Sequence, residues 1–335
     1  MRVELRKRHL ALLLGSLAAL AALALTPQLG DRVTAGIDGV GDATAGWLWI
    51  AAAAFAGSLG AAASGWASAL RRCSGETSPL DATARFCTGS LVNALAPARL
   101  GTAVRFALFA RVLPGEGRLW TVGGIATSLS AVRGLWLALV LALGSASGAL
   151  PRWPILALLA AVAAVAVFAW CIRDTKPGTK WQHAFDVFRV LAKCPRAAAR
   201  IVGWVGLSMA LRLGAAAAIA AAFGVERPLA AALLIIPALD LAGLLPLTPG
   251  NVGVSSAAVA FALAAHGAPS NLAVSAGIAF GAVETLTTLG MGAGSLLYFA
   301  GLRADVPRWR TAAIAAMGCV GLAAAFGATV IAPLV

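Results

Sequence analysis

Long apolar runs, separated by short basic clusters, dominate this sequence of 335 residues. A helix needs roughly 20 apolar residues to cross about 30 Å of hydrocarbon. Lipid offers no partner for open backbone groups, so runs of this length predict membrane-spanning helices. The sequence predicts seven such spans, at about His9–Thr26, Gly46–Leu70, Leu119–Leu143, Trp153–Ile172, Ile201–Phe223, Leu272–Phe299 and Trp309–Leu334.

The composition excludes the main alternatives to a membrane protein. Hydrophobic residues make up 60% of the chain and charged residues 12%, whereas a soluble domain carries about 25% charged residues. The apolar content excludes disorder, and five scattered cysteines are too few for a secreted disulfide scaffold. The basic residues behind the net charge of +13 lie between apolar runs, which is typical of inner-face loops and not of a nucleic-acid groove.

The first apolar run has two interpretations. A basic cluster that begins at Arg2 precedes it, and the tripeptide Ala-Leu-Ala at 22–24 resembles a signal-peptidase site. However, the run is long for the apolar region of a signal peptide. We therefore favour a retained first helix over a cleaved signal.

Loop charges predict the orientation of the chain. With the N-terminus in the cytoplasm, most of the 26 basic residues fall inside, and the outside loops hold only Arg32, Arg152 and Arg227. This predicts a multi-pass protein of the inner or plasma membrane with its C-terminus outside. The longest inside loop is 173–200. Over about Lys180–Lys193 its apolar residues fall on one helical face and its polar residues on the other, which predicts a short helix on the membrane surface.

Two further apolar stretches, about Thr83–Arg111 and Leu229–His266, are each interrupted near the middle by proline and glycine. In the predicted orientation the first enters and leaves the membrane on the inside, and the second on the outside. Each is therefore predicted to be a re-entrant hairpin of two short helices, and the two hairpins enter from opposite faces. The predicted breaks are Pro97, Gly101, Pro249, Gly250 and Gly253.

The order of span, hairpin, span and span occurs twice, in opposite directions. A shift of 152 residues superimposes Pro97 on Pro249 and Gly101 on Gly253. We predict one all-α polytopic membrane domain over 1–335, with about seven transmembrane helices and two opposed re-entrant hairpins in an inverted-topology repeat. Many transporters build a midplane site in this way, although a duplication kept only for packing would leave the same pattern. Its parts are an extra first helix at 9–26, repeats at 46–172 and 201–334, and a cytoplasmic connecting loop at 173–200.

Two short motifs carry a resemblance to a known family. The segment 93–105 reads NALAPARLGTAVR, and the segment 247–254 reads LTPGNVGV. They resemble the Asn…Pro-x-Arg-x-Gly-Glu-x-x-Arg and Pro-Thr-Pro-Gly-Gly-Leu-Gly-x-x-Glu motifs of the lysylphosphatidylglycerol synthase transmembrane region, also called the flippase-like domain family. The resemblance covers roughly Gly46 to Leu302.

The resemblance implies lipid translocation or a related lipid role. The synthases carry a soluble transferase domain after the membrane part, whereas this chain ends in an apolar run, so aminoacyl transfer is not implied. Thr102, Ser256 and Trp136 stand where the family often has acidic residues. A proton- or cation-coupled mechanism is therefore not carried over.

Charged residues inside the apolar stretches are the first candidates for a site, because each is costly in hydrocarbon. Glu284 shares a helical face with Gly277 and Gly281, a face that packs against another helix. The repeat places Arg133 at almost the same depth. An Arg133–Glu284 ion pair is one prediction, and a substrate or gating role is the other. The candidate substrate-binding residues are Asn93, Arg99, Arg105, Arg133, Arg212, Asp240, Asn251 and Glu284.

The first hairpin carries a candidate anion site. Arg99 and Arg105 flank its break beside Asn93. Arginine forks match phosphate oxygens, and a helix N-terminus after Pro97 would add free N–H groups. These groups together predict a lipid-phosphate site at the cytoplasmic side. The alternative is that Arg105 only extends to the inner interface.

No enzyme signal is present in the sequence. It has no HExxH, GxSxG, Walker A or GxGxxG-plus-acid motif, and its histidines and cysteines show no ligand spacing, so we predict no catalysis, metal or cofactor. We predict a translocase of a lipid or lipid-linked substrate, with its site between the two re-entrant hairpins. Its predicted partners are membrane lipids, chiefly anionic phospholipid or a lipid-linked substrate, and no nucleic acid. The alternatives are a scaffold or regulator of a lipid or envelope enzyme, and, ranked last, a membrane-embedded transferase.

Overall fold

The described part of the chain is helical. The computed structural model describes residues 41, 43–75, 77–95, 100–115, 117–146, 148, 163, 194–243 and 252–303. Within these ranges there is no strand. The helices are α1 (Ala45–Arg72), α2 (Pro79–Leu95), α3 (Leu100–Ala110), α4 (Arg118–Ala146), α5 (Pro195–Ala222), α6 (Pro228–Ala242), α7 (Val252–Ala265) and α8 (Ser270–Arg303).

Four of the predicted spans are confirmed as long apolar helices. By length and composition α1, α4, α5 and the segment Ser270–Phe299 of α8 can each cross a membrane. Trp47, Trp49 and Trp120 stand near the ends of these helices with exposed side chains, as an aromatic belt requires. The predicted spans at 9–26, 153–172 and 309–334, and the predicted surface helix at 180–193, lie outside the described residues.

Each of the two interrupted stretches contains a pair of short helices. The pairs are α2 with α3 and α6 with α7, and the two members of each pair pack against one another. Residues 96–99 and 244–251, between the members, are outside the described part of the chain. Re-entry from opposite faces, and a meeting of the two turns near the bilayer centre, therefore stay predictions.

Local signals account for where several helices begin and end. At the start of α2 the Ser78 hydroxyl accepts a hydrogen bond from the backbone N–H of Asp81, an N-cap that satisfies one free helix donor. At the end of α5 the N–H of Val225 reaches the carbonyl of Ala220, and Gly224 takes a positive φ of 68°. This is a Schellman cap, which needs a left-handed residue that glycine adopts without strain.

The pairing of α1 with α5 forms the centre of the molecule. The backbone N–H of Thr44, before α1, donates to the carbonyl of Ala222 at the end of α5. In mid-helix the Ser208 hydroxyl donates to the carbonyl of Ser58. As the residue number rises along α1 it falls along α5, so the two helices run antiparallel. The shift of 152 residues makes them equivalents, which is the relation that an inverted repeat requires.

The same pairs of elements pack in both halves. The packing of α1 on α2, α2 on α3, and α3 on α4 recurs as α5 on α6, α6 on α7, and α7 on α8. Contacts between the halves match too, because α2 packs on α8 as α6 packs on α4. The apolar core has two corresponding parts. One includes the stacked pair Trp66 and Phe109, and the other the edge-to-face pair Phe55 and Phe280.

Small residues allow a close helix approach between α7 and α8. A Cβ atom added at Gly277 would meet the backbone carbonyl of Ser256 and the backbone of Ala260. The predicted glycine face of α8 is therefore covered by a helix, and Gly281 is buried as well. Interfaces of this type are typical of helix packing in membranes.

Replacing Gly277 by Ala should therefore loosen the α7–α8 contact. The obstructing atoms are backbone and cannot turn away, so we expect a loss of about 1–3 kcal/mol in the free energy of unfolding, as for overpacked cores. Thermal melts in detergent measure the change. Gly214→Ala is the matched control, because a Cβ there meets nothing within 4 Å. Equal stability of the two variants would contradict the close approach.

Candidate functional site

Four charged side chains from four helices meet in one cluster. Arg133 Nη2 of α4 donates to Asp240 Oδ1 of α6 at 2.5 Å. Arg212 of α5 lies 3.5 Å from the same carboxylate oxygen and 3.8 Å from Glu284 Oε1 of α8. We call these four residues the charge cluster. With all four ionised, its net charge is zero.

The charge cluster lies at mid-depth of the apolar helices. Arg133, Arg212 and Glu284 stand near the middle of helices of 29, 28 and 34 residues. At 1.5 Å per residue these helices are about 42 to 51 Å long, so their centres lie far from both ends. Isolated charges there would be strongly disfavoured, whereas opposite charges in contact reduce the cost.

Asp240 needs its two arginine partners for a local reason. It lies two residues before the end of α6, where free carbonyl groups and the helix dipole disfavour a negative charge. Arg133 and Arg212 offset this by placing two positive charges beside one carboxylate oxygen. The other oxygen, Asp240 Oδ2, is buried and has no hydrogen-bond partner in the described part of the protein.

The predicted pairing of Arg133 with Glu284 is corrected by the structure. Arg133 forms its ion pair with Asp240, and Glu284 forms its own with Arg212. The reason is the packing of α6, which brings Asp240 against α4. The sequence singled out all four residues, and their balance of two positive and two negative charges was the available signal for a common cluster. The periodicity of single helices carried no information on which helices touch.

The cluster is closed on one side and open on the other. Arg212 and Asp240 have side chains that are 18% and 15% exposed, whereas Arg133 is 48% exposed and Glu284 32%. Arg212 and Asp240 therefore form its buried side. The open side leaves Arg133 accessible to a polar group from outside the protein.

Trp136 joins α4 to α5, a contact that the sequence did not reveal. Its indole N–H donates to the carbonyl of Val202 at 3.0 Å, and its ring lies where a Cβ of Gly206 would be. Trp136 stands three residues after Arg133 and hence on the same helical face. The neutral residue at this position, where the family motif is often acidic, thus joins α4 to α5.

A second charged position lies between α2 and α3. Arg105 places its guanidinium 3.8 Å from the ring centroid of Phe86 and donates from Nη2 to the Ser90 hydroxyl at 2.9 Å. The close approach of Gly89 to Gly101 brings the two helices together, since a Cβ on either would collide with the other's carbonyl. Asn93 lies beside Gly101.

The remaining predicted site residues are distributed as follows. Gly253 lies at the start of α7, and a Cβ there would meet nothing within 4 Å. Five predicted residues are outside the described part of the chain, so they are assigned neither to the charge cluster nor to the charged position between α2 and α3. These five are Pro97, Arg99, Pro249, Gly250 and Asn251.

This arrangement defines a class of protein. The chain is a polytopic helical membrane protein with paired short helices and a charge cluster at membrane depth. Within the described ranges, no three His, Cys, Asp or Glu side chains come together in a way that could hold a metal ion. The family described as the lysylphosphatidylglycerol synthase TM region matches residues 10–292, and the chain belongs to this family. A search of curated proteins gave no match.

Double-mutant cycles should separate the observed pairing from the predicted one. We expect Asp240→Asn to lower the free energy of unfolding by about 3 kcal/mol, because it leaves Arg133 without a carboxylate and Arg212 with Glu284 alone. In the cycle that combines Asp240→Asn with Arg133→Gln, the coupling free energy should be about 1 kcal/mol or more. The exposure of Arg133 keeps this value modest. In the cycle that combines Arg133→Gln with Glu284→Gln, the coupling free energy should be clearly smaller. Unfolding in mixed detergent micelles measures the three single and the two double variants. A larger coupling between Arg133 and Glu284 than between Arg133 and Asp240 would contradict the geometry.

Proposed function

We propose that this protein moves a lipid or a lipid-linked substrate across the membrane in the manner of a flippase. The observation that carries the proposal is the charge cluster, with one charge from each of four helices at the depth where lipid is most apolar. The family match supports a lipid role. The proposal includes no catalytic step.

The physical argument concerns the headgroup. A phospholipid headgroup is polar and cannot cross hydrocarbon unaided, because its hydrogen bonds and charges would be left unsatisfied. A zwitterionic cluster offers replacement partners of both signs at mid-depth. Arg133, with nearly half of its side chain exposed, is the member that a headgroup would reach first. Because the cluster is neutral, a zwitterionic headgroup can exchange partners with it without leaving a net charge buried.

The helix pairs support a route with access from two sides. The antiparallel contact of α1 with α5 and the matching contacts in the two halves favour an inverted-topology repeat. We propose that α2–α3 and α6–α7 are re-entrant hairpins from opposite faces. In transporters, repeats of this type allow one half to rock against the other around a fixed site.

The proposal also assigns an orientation. Because α1 and α5 are antiparallel, the basic end of α1, with Arg71 and Arg72, lies beside the basic start of α5, with Arg196 and Arg200. Basic residues accumulate on the cytoplasmic side. We therefore place this end in the cytoplasm and the opposite end, with Glu226 and His266, outside the cell membrane.

Lipid movement tests the proposal directly. Vesicles that contain the purified protein and a trace of fluorescent phosphatidylglycerol are treated with an impermeant quencher, and the rate of loss of inner-leaflet fluorescence is measured. We expect wild type to move the probe and Asp240→Asn and Arg212→Gln to move it at least about tenfold more slowly, since each removes a charge partner worth about 1.4 kcal/mol or more.

Arg111→Gln is the control for loss of a positive charge, since Arg111 is exposed just after α3 and outside the charge cluster. It should move the probe at the wild-type rate. If wild type moves neither fluorescent phosphatidylglycerol nor fluorescent phosphatidylcholine faster than protein-free vesicles do, translocation is rejected. The alternative function, a scaffold or regulator of a lipid enzyme, would then be favoured. Native mass spectrometry of co-purified lipids identifies which probe to test next.

Two native cysteines test the orientation. Cys73 follows α1 and Cys194 precedes α5, so both lie at the basic end. In intact cells an impermeant maleimide should label neither, whereas Ser270→Cys in a cysteine-free background should be labelled. Burial raises the pKa of the Cys73 thiol, which lowers its reactive thiolate fraction, so inverted vesicles at mildly alkaline pH serve as the positive control. Labelling of Cys194 from outside would show that the proposed orientation is wrong.

A further inference from the structure

Arg105 differs from the other partly buried arginines in lacking a carboxylate. Arg85 is held by Asp81, and both arginines of the charge cluster have acidic partners. Within the described residues no salt bridge reaches Arg105. The carboxylates of Asp81, Asp240 and Glu284 are each engaged by another arginine. The charge of Arg105 is therefore not balanced by the part of the chain that the structure describes.

The surroundings of Arg105 fix its guanidinium without neutralising it. The plane lies over the Phe86 ring at 3.8 Å, a cation–π contact that leaves the positive charge in place. Ser90 donates its own hydrogen bond to the Phe86 carbonyl and so accepts one from Arg105 Nη2. These neutral partners orient the fork toward α2. A fork held in this way is prepared for a planar or tetrahedral anion.

Two polar atoms of the helix pair α2–α3 are buried and unsatisfied. Arg105 Nε and Asn93 Oδ1 have no hydrogen-bond partner within the described part of the protein. One is a donor and the other an acceptor. Unsatisfied buried polar atoms are rare in folded proteins, and each calls for a physical explanation, of which a functional role is one.

Two glycines place Asn93 and Arg105 between the same pair of helices. Gly89 of α2 lies against Arg105, and Gly101 of α3 lies against Asn93. Gly89 and Asn93 are four residues apart, and so are Gly101 and Arg105, so each pair shares one helix face. The missing side chains of the two glycines let both functional side chains lie between the helices. We call Phe86, Gly89, Ser90, Asn93, Gly101 and Arg105 the arginine cradle.

We propose that the arginine cradle binds a phosphodiester headgroup that carries its own hydrogen-bond donor, a hydroxyl or an ammonium. The phosphate oxygens accept from Arg105, and the donor of the headgroup satisfies Asn93 Oδ1. The proposal rests on the proposed lipid translocation and names its substrate class. It gives the chain a recognition site at the first helix pair, distinct from the charge cluster at mid-depth.

A phosphate is a better occupant than a carboxylate for a chemical reason. The cradle offers a positive fork and, beside it, a neutral acceptor. A carboxylate group alone has no donor for Asn93 Oδ1, whereas the headgroups of phosphatidylglycerol and phosphatidylethanolamine supply anionic oxygens and a donor a few bonds apart. Phosphatidylcholine has the phosphate but no N–H or O–H donor.

Binding of short-chain lipids to the full-length protein in a phosphate-free maltoside detergent tests the proposal without transport. The probes are dihexanoyl phosphatidylglycerol, the corresponding phosphatidylethanolamine and phosphatidylcholine, and inorganic phosphate, each titrated calorimetrically. We expect phosphatidylglycerol or phosphatidylethanolamine to bind at least about tenfold more tightly than phosphatidylcholine. Inorganic phosphate binding as tightly as these lipids would overturn the headgroup assignment.

Three variants locate the binding in the cradle. Arg105→Gln should weaken the best lipid at least about tenfold, and Arg105→Lys should restore only part of the loss, because an ammonium lacks the planar fork. Asn93→Asp places a carboxylate beside Arg105, so it should fold at least as well as wild type and still lose lipid binding by internal competition. Arg111→Gln is the charge-matched control and should bind like wild type.

The outcomes separate the two proposals. Wild-type affinity in Asn93→Asp and Arg105→Lys would overturn the cradle even if lipid is translocated. Normal binding with no movement of lipid in vesicles would keep the cradle and reject translocation. Equal affinity for phosphatidylcholine and phosphatidylglycerol would overturn the role of Asn93 as the acceptor for a headgroup donor.

Discussion

The carboxylate of Asp240 is the interaction on which the interior of this protein depends. One of its oxygens is shared by Arg133 and Arg212, from two different helices, and Arg212 extends the contact to Glu284. Charge joins four helices at this point. Apolar packing in lipid has little hydrophobic driving force, so polar contacts of this kind decide which helix faces which.

The same cluster ties the two halves together. Asp240 belongs to the short helix α6, which packs on α4 of the first half. The central pair α1 and α5 is held by small-residue packing and by the Ser208–Ser58 hydrogen bond, and neither contact carries charge. A change of position between the halves can therefore preserve α1–α5 while it breaks or forms ion pairs at Asp240. That division of contacts is what the proposed alternating access requires.

Much of the fold could be predicted from the sequence, because the length and apolarity of a segment identify it as a membrane helix. The spans at α1, α4, α5 and α8 and the division of both interrupted stretches into short helices follow from hydropathy, proline and glycine. The partners of Arg133 could not be predicted, since charge and depth fit Asp240 and Glu284 equally well. Only the packing of α6 decides between them. The contacts of Phe86 and Ser90 with Arg105 were not predicted for the same reason. The periodicity of one helix does not show that an aromatic ring on it supports an arginine on the next helix.

The contrast between the two charged places has a functional meaning. In the charge cluster each arginine has a carboxylate partner, so a substrate must compete there with internal ion pairs. In the arginine cradle the charge is uncompensated among the described residues, so a ligand has no internal competitor to displace. A ligand at the charge cluster displaces existing ion pairs, whereas an anion at the arginine cradle adds a charge partner for Arg105. Selection at the cradle followed by weak, exchangeable contacts at mid-depth is the order in which a translocase can recognise a headgroup and still let it leave.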